Sequence, residues 1–201
     1  MPDRMKLLFL FHGYGSDGKD MEPIASYISS KLLDIKSITP NGYDICDINP
    51  HGFQWFALSD THRYEYTDIL EDLCLKVEKD LINKELNRYS LTMEDVILAG
   101  FSLGAMLALA LALKMKDKPL AVISFSGLLM NGIVPQGKTK SEILLLHGCD
   151  DEIIPIKYYE NTINKLNDKN IKFSARKYQG LGHSINIQEL ECAIDFLRRV
   201  V

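Results

Sequence analysis

Four short apolar stretches constrain this chain most: "KLLFLF" (6–11), "DVILAG" (95–100), "LAVISFSG" (120–127) and "EILLLHG" (142–148). A strand with one face in water alternates apolar and polar residues. A strand that is apolar nearly throughout is buried on both faces, which is the mark of a parallel sheet covered by helices. The segments between these runs have helical spacing. Ile24, Ile28 and Leu32 recur every four residues in 21–33, as do Ile69, Leu73, Val77 and Leu81 in 66–88. "LGAMLALALALKM" (103–115) is almost entirely apolar, which predicts a buried helix. A weaker strand at 35–39 stops at Pro40-Asn41-Gly42. A helix near 156–168, a strand near 171–178 and a helix over 187–200 complete the alternation. The pattern predicts one α/β domain over residues 1–201, doubly wound, with helices on both faces of a mostly parallel sheet.

In such sheets, sites form beyond the carboxyl ends of the strands. The loops to watch are therefore 12–18, 101–104, 127–140, 148–155 and 179–184. Residues 40–64 are irregular, and a loop of that length is uncommon unless functional.

Charge and cysteines exclude several classes. The net charge is −4 with a pI near 5.7, and no basic stripe marks a nucleic-acid surface. Cys46, Cys74, Cys149 and Cys192 are widely spaced and show no metal-ligand pattern. Reduced thiols in a cytoplasmic protein are the expectation. The N-terminus has too short an apolar run for a secretory signal, and no run approaches the roughly 18–20 residues of a membrane span.

"GFSLGAM" (100–106) joins the second apolar run to the buried helix. Strand, sharp turn and helix are the setting of a nucleophile elbow, with Ser102 at its tip. Gly100 and Gly104 are expected where the strand and helix backbones crowd together. The plainer alternative is a strand–helix turn in which Ser102 only caps the helix.

A serine hydroxyl needs a base, and the base needs an orienting acid. Only His147 and His183 follow Ser102 in the sequence. His147 ends an apolar strand and is expected to pack there. His183 lies in "QGLGHSI", a Gly-rich loop between the last strand and the last helix, and is the candidate base. The acid is expected in "HGCDDEIIP", where loop spacing alone leaves Asp150, Asp151 and Glu152 open. Developing negative charge on a substrate oxygen needs backbone N–H donors. One is expected from Leu103 and one from the Gly-rich loop "HGYGSDG" after the first strand. That loop lacks the spacing of a nucleotide phosphate cradle. "FQWFAL" (53–58) holds the only tryptophan, Trp55, either as an apolar substrate wall or as a core anchor.

Assembled, these stretches resemble the carboxylesterase/phospholipase family of α/β hydrolases, which includes acyl-protein thioesterases and small bacterial esterases. "FHGYGSDG", "QWF", "GFSLGA", "HGCDDEIIP" and "GLGH" carry the resemblance nearly end to end. It implies an α/β-hydrolase fold with little or no lid and a serine esterase that uses no cofactor or metal. It implies Ser102, Asp151 and His183 as catalytic residues, because the family's acid lies four positions before the Pro that is here Pro155. It implies Tyr14 and Leu103 as backbone oxyanion donors. Apart from the resemblance, the loops 53–58 and 127–135 are expected to set pocket depth, with Trp55, Phe56 and Leu128 as substrate contacts. Expected substrates are small-molecule esters, lysophospholipids or acyl thioesters, with no nucleic acid and no integral membrane association. A homodimer is also admitted. Two departures stand out. Leu103 replaces a frequent Gln, and Ala57 follows Trp55-Phe56 where the thioesterase branch tends to have Asp, which leans toward a general small-acyl esterase. The competing class, a non-catalytic binding protein of this fold, would be marked by a broken Ser–Asp–His set, and here all three are present.

Overall fold

The apolar runs become the centre of a six-stranded sheet. The computed structural model describes residues 4–58, 67–131, 133 and 140–201, without the side chains of 67–69. The strands are β1 (Lys6–Phe11), β2 (Ile35–Ile38), β5 (Val96–Phe101), β6 (Ala121–Phe125), β7 (Glu142–Gly148) and β8 (Ser174–Tyr178). Their order is β2-β1-β5-β6-β7-β8, and every neighbouring pair is parallel. A two-stranded antiparallel pair, β3 (Asp44–Ile45) with β4 (Phe53–Gln54), lies within the irregular 40–58 segment.

Alternation along β1 divides the core in two. Leu7, Phe9 and Phe11 join a cluster with α2 (Thr67–Val77), α3 (Asn83–Tyr89), α4 (Leu103–Lys114) and α5 (Ile156–Asp168). Leu8 and Leu10 join the opposite cluster with α1 (Gly18–Ser30) and α6 (Ile187–Leu197). Both sheet faces are thus covered, as solid apolar strands require. Helix α4 packs on the sheet from one side and on α2 from the other, so its residues Leu103–Leu113 are buried all round. Among the described residues, no helix is long and apolar enough to cross a membrane.

The expected helix over 66–88 differs from the structure in a way that its core explains. Residue 66 and the Ile69 side chain lie outside the described residues. A π-helical turn over Glu78–Ile82 separates α2 from α3. The wider turn adds one residue, so the buried positions run Leu73, Val77, Ile82, Leu86 rather than continuing every four. Ile82 takes the core position that the spacing assigned to Leu81, and Leu81 is only partly buried. The last strand is also shorter than expected, starting at Ser174, and the last helix ends at Leu197.

Candidate active site

The site is assembled from loops at the carboxyl edge of four strands. Strands β1 and β5 are neighbours, so the loop after Phe11 lies beside the turn after Phe101. Strands β7 and β8 are also neighbours, so the loops bearing Asp151 and His183 adjoin. The Asp150 amide donates to the Leu181 carbonyl at 3.0 Å, tying those two loops together.

Ser102 sits at φ 54° and ψ −116°, a conformation that costs a residue with a Cβ about 1–3 kcal/mol. Its hydroxyl makes no helix-capping hydrogen bond, so the capping alternative does not describe it. The turn is held by the Ser102 amide, which donates to the Phe125 carbonyl at 2.9 Å. The crossing leaves no room for side chains at its two glycines. A Cβ on Gly100 would stand 2.2 Å from the Gly104 backbone, and one on Gly104 would stand 2.2 Å from the Phe11 carbonyl oxygen.

His183 bridges serine and acid. Its Nε2 lies 2.9 Å from Ser102 Oγ, and its Nδ1 lies 2.7 Å from Asp151 Oδ2. The carboxylate accepts Nδ1–H, which leaves the Nε2 lone pair facing the serine hydroxyl. Asp151 is buried, and its Oδ1 accepts the amides of Ile153 at 2.9 Å and Ile154 at 2.8 Å. Asp150, by contrast, is exposed. Phe101 lies against the imidazole with ring centroids 4.8 Å apart.

His147 is fully buried at the end of β7. Its Nε2–H donates to the Ile154 carbonyl at 2.8 Å and lies 3.5 Å from Asp151 Oδ2. Burial lowers its pKa, which favours the neutral ring. It supports the acid's turn from beneath. Glu189, at the start of α6, is buried as well. Desolvation pushes its carboxyl up to about 7, with the nearby Asp151 charge adding to the rise.

A cavity of about 880 Å³ opens over Ser102 and His183. That is within the range of small-molecule sites, roughly 300–1,000 Å³. Gly13, Tyr14 and Leu103 line it, as do Met21, Leu58, Met106, Ile153 and Ile154. Among the described residues, neither the Tyr14 nor the Leu103 amide has a protein acceptor. The Tyr14 hydroxyl donates to Asp47, and burial with that bond raises its pKa.

Three expected substrate contacts lie elsewhere. Trp55, Phe56 and Leu128 are buried in the core and do not line this cavity. Trp55 packs edge-on to Phe11 at 5.2 Å, and its indole N–H donates to the His12 carbonyl at 3.1 Å. It is an anchor beneath the first loop rather than a wall. The stretch did contribute Leu58, and "HGCDDEIIP" contributes Ile153 and Ile154, two apolar residues placed directly after the acids. Residues 59–64, 132 and 134–139 of the predicted loops lie outside the described residues.

The parallel sheet and the loops at its carboxyl edge define an α/β-hydrolase fold. Within that class, the chain belongs to the phospholipase/carboxylesterase family, whose model matches residues 2–201. It is 28% identical to acyl-protein thioesterase 1 of Candida albicans over 214 residues, covering 97% of this chain and 91% of the relative. It is 23% identical to the esterase YpfH of Escherichia coli, covering 100% of this chain and 86% of that one. The crystal structure of esterase PE8 superposes with a TM-score of 0.88 at 30% identity, covering 98% and 94% of the two chains. Esterases and thioesterases are carboxylic ester hydrolases, so the family is one of enzymes.

Proposed function

We propose that the chain is a serine carboxylesterase that cleaves ester or thioester bonds of small or medium acyl substrates through an acyl-enzyme. The observation that carries this reading is the line from Ser102 Oγ to His183 Nε2, 2.9 Å, and from His183 Nδ1 to Asp151 Oδ2, 2.7 Å. Ser102 attacks the substrate carbonyl carbon while His183 Nε2 takes the hydroxyl proton. Asp151 holds the imidazole tautomer and stabilises the ring while it is charged. The Tyr14 and Leu103 amides receive the oxyanion. His183 then protonates the departing alkoxide or thiolate, leaving an ester on Ser102. Water, deprotonated by His183, hydrolyses that ester and restores the enzyme.

The apolar lining of Met21, Leu58, Leu103, Met106, Ile153 and Ile154 supports an acyl group as the buried part of the substrate. The names of the relatives support esters and thioesters alike. Lysophospholipids and acylated proteins are the longer-chain alternatives. Hydrolysis of p-nitrophenyl esters from two to sixteen carbons tests the reading. Activity peaking at short or medium chains supports it. Activity confined to long chains would favour the lysophospholipase or acyl-protein thioesterase reading.

A further inference from the structure

We propose that His12 is a positioning residue that aims the Tyr14 amide at the oxyanion, an inference that rests on the catalytic reading above. His12 is fully buried between the first loop and the 40–58 segment, and it does not line the cavity. The Gly42 amide donates to its Nε2 at 2.8 Å. Only an unprotonated nitrogen accepts that bond, so the ring proton sits on Nδ1. Nδ1–H in turn donates to the Gly13 carbonyl at 2.7 Å. Burial lowers the pKa of the ring, which agrees with a neutral imidazole of fixed tautomer.

The Gly13 carbonyl and the Tyr14 N–H belong to one peptide plane. In a trans peptide they point in opposite directions, and no cis peptide is present among the described residues. Drawing the carbonyl toward His12 therefore turns the Tyr14 N–H away from the core, to the side where Tyr14, Ser102 and Leu103 share the cavity. The carbonyl's other partner is the Ser16 amide at 3.3 Å, a longer bond within the turn itself. The preceding peptide is fastened too, because Trp55 donates to the His12 carbonyl and its ring lies 5.1 Å from the imidazole. The chain runs Gly42 amide, His12 ring, Gly13 carbonyl, Tyr14 amide, with Trp55 bracing it. The start of α4, which carries the Leu103 donor, abuts the same loop. A Cβ on Gly104 would stand 2.6 Å from the His12 carbonyl oxygen.

His12→Asn and His12→Gln separate the two ring nitrogens. Asn places an amide N–H near the position of Nδ1 and keeps donation to Gly13. Gln places its amide near Nε2 and keeps only an acceptor for Gly42. Each full-length variant is compared with wild type by kcat and KM on p-nitrophenyl butyrate, per site counted from endpoint fluorophosphonate labelling. Affinity for a trifluoromethyl ketone, which forms an oxyanion on binding, is the second readout. Outright loss of an oxyanion donor costs about 10²–10³ in kcat, so a misaimed one is expected to cost ~10–100-fold in His12→Gln with KM little changed. His12→Asn is expected to recover most of that loss, and ketone affinity should follow kcat across the series. Because active sites are counted, a poorly folding variant does not imitate this result. Equal losses in the two variants, or unchanged kcat per site in His12→Gln, would overturn the proposal. Wild-type protein that hydrolyses ester without labelling at Ser102 would instead overturn the catalytic reading beneath it.

Discussion

His183 meets Asp151 through a single carboxylate oxygen, Oδ2 at 2.7 Å, while Oδ1 is held by the Ile153 and Ile154 amides. The acid is therefore fixed from behind by its own loop and presents one acceptor to the ring. Asp151→Asn can keep the loop's amide contacts yet no longer stabilises the charged imidazole. It should lower kcat by roughly 10³–10⁴. Asp150 is exposed, and its backbone amide donates to the Leu181 carbonyl. Asp150→Asn should leave kcat near wild type. Steady-state kinetics on the two variants decide which acid serves the histidine, and a larger loss at 150 would contradict the geometry.

Ser102 at positive φ sets backbone strain against the role proposed for it. Glycine relieves about 1–3 kcal/mol of strain and costs about 0.5–1 kcal/mol in unfolded-chain entropy. Ser102→Gly should therefore be more stable than wild type by about 1 kcal/mol and inactive. Ser102→Ala keeps the Cβ and should show no comparable gain. Urea unfolding of the three proteins measures the difference.

Gly104 lies in a helix, where alanine alone would add about 1 kcal/mol of stability. Packing decides otherwise, because the new Cβ would meet the Phe11 and His12 carbonyl oxygens at 2.2 and 2.6 Å. Gly104→Ala should be destabilised by a net ~2 kcal/mol, lowering Tm by roughly 4–8 °C. Activity should fall as well, since Leu103 and the Tyr14 loop would be pushed apart.

Glu189 should make stability depend on pH. Its carboxyl is raised from an ordinary value of 4.5 to about 7 in the folded chain. Between those values the folded state holds a proton that the unfolded state releases. The stability present below pH 4.5 is thus lost as pH rises to about 7. The loss amounts to at most about 3 kcal/mol. Glu189→Gln keeps an acceptor for the Asn186 amide and removes the charge, so its unfolding midpoint should change less between pH 4.5 and 7 than that of wild type. Parallel slopes for the two proteins would contradict the assignment.

The sheet was legible because β1, β5, β6 and β7 are apolar nearly throughout, and a strand buried on both faces leaves that mark. Their places after strands made Ser102 and His183 candidates, and the fold brings their side chains within 2.9 Å of each other. Spacing did not choose among Asp150, Asp151 and Glu152, which are consecutive. The family resemblance indicated Asp151, and the fold brings Asp151 to His183. The π-helical turn after α2 escaped the reading because a four-residue repeat does not reveal one added residue. Trp55 escaped for another reason. Its partners, Phe11 and the His12 carbonyl, are more than forty positions away in sequence, and composition cannot say which side of a loop an aromatic ring occupies. The role inferred for His12 needs a peptide orientation, which no spacing rule encodes.

Everything proposed for the reaction depends on Ser102 being the nucleophile. Intact-mass and peptide mass spectrometry after fluorophosphonate treatment tests it most directly. One adduct per chain is expected, located on the peptide containing Ser102, absent from Ser102→Ala, and formed in step with loss of p-nitrophenyl butyrate hydrolysis. An adduct on another residue, or undiminished hydrolysis by Ser102→Ala, would contradict it.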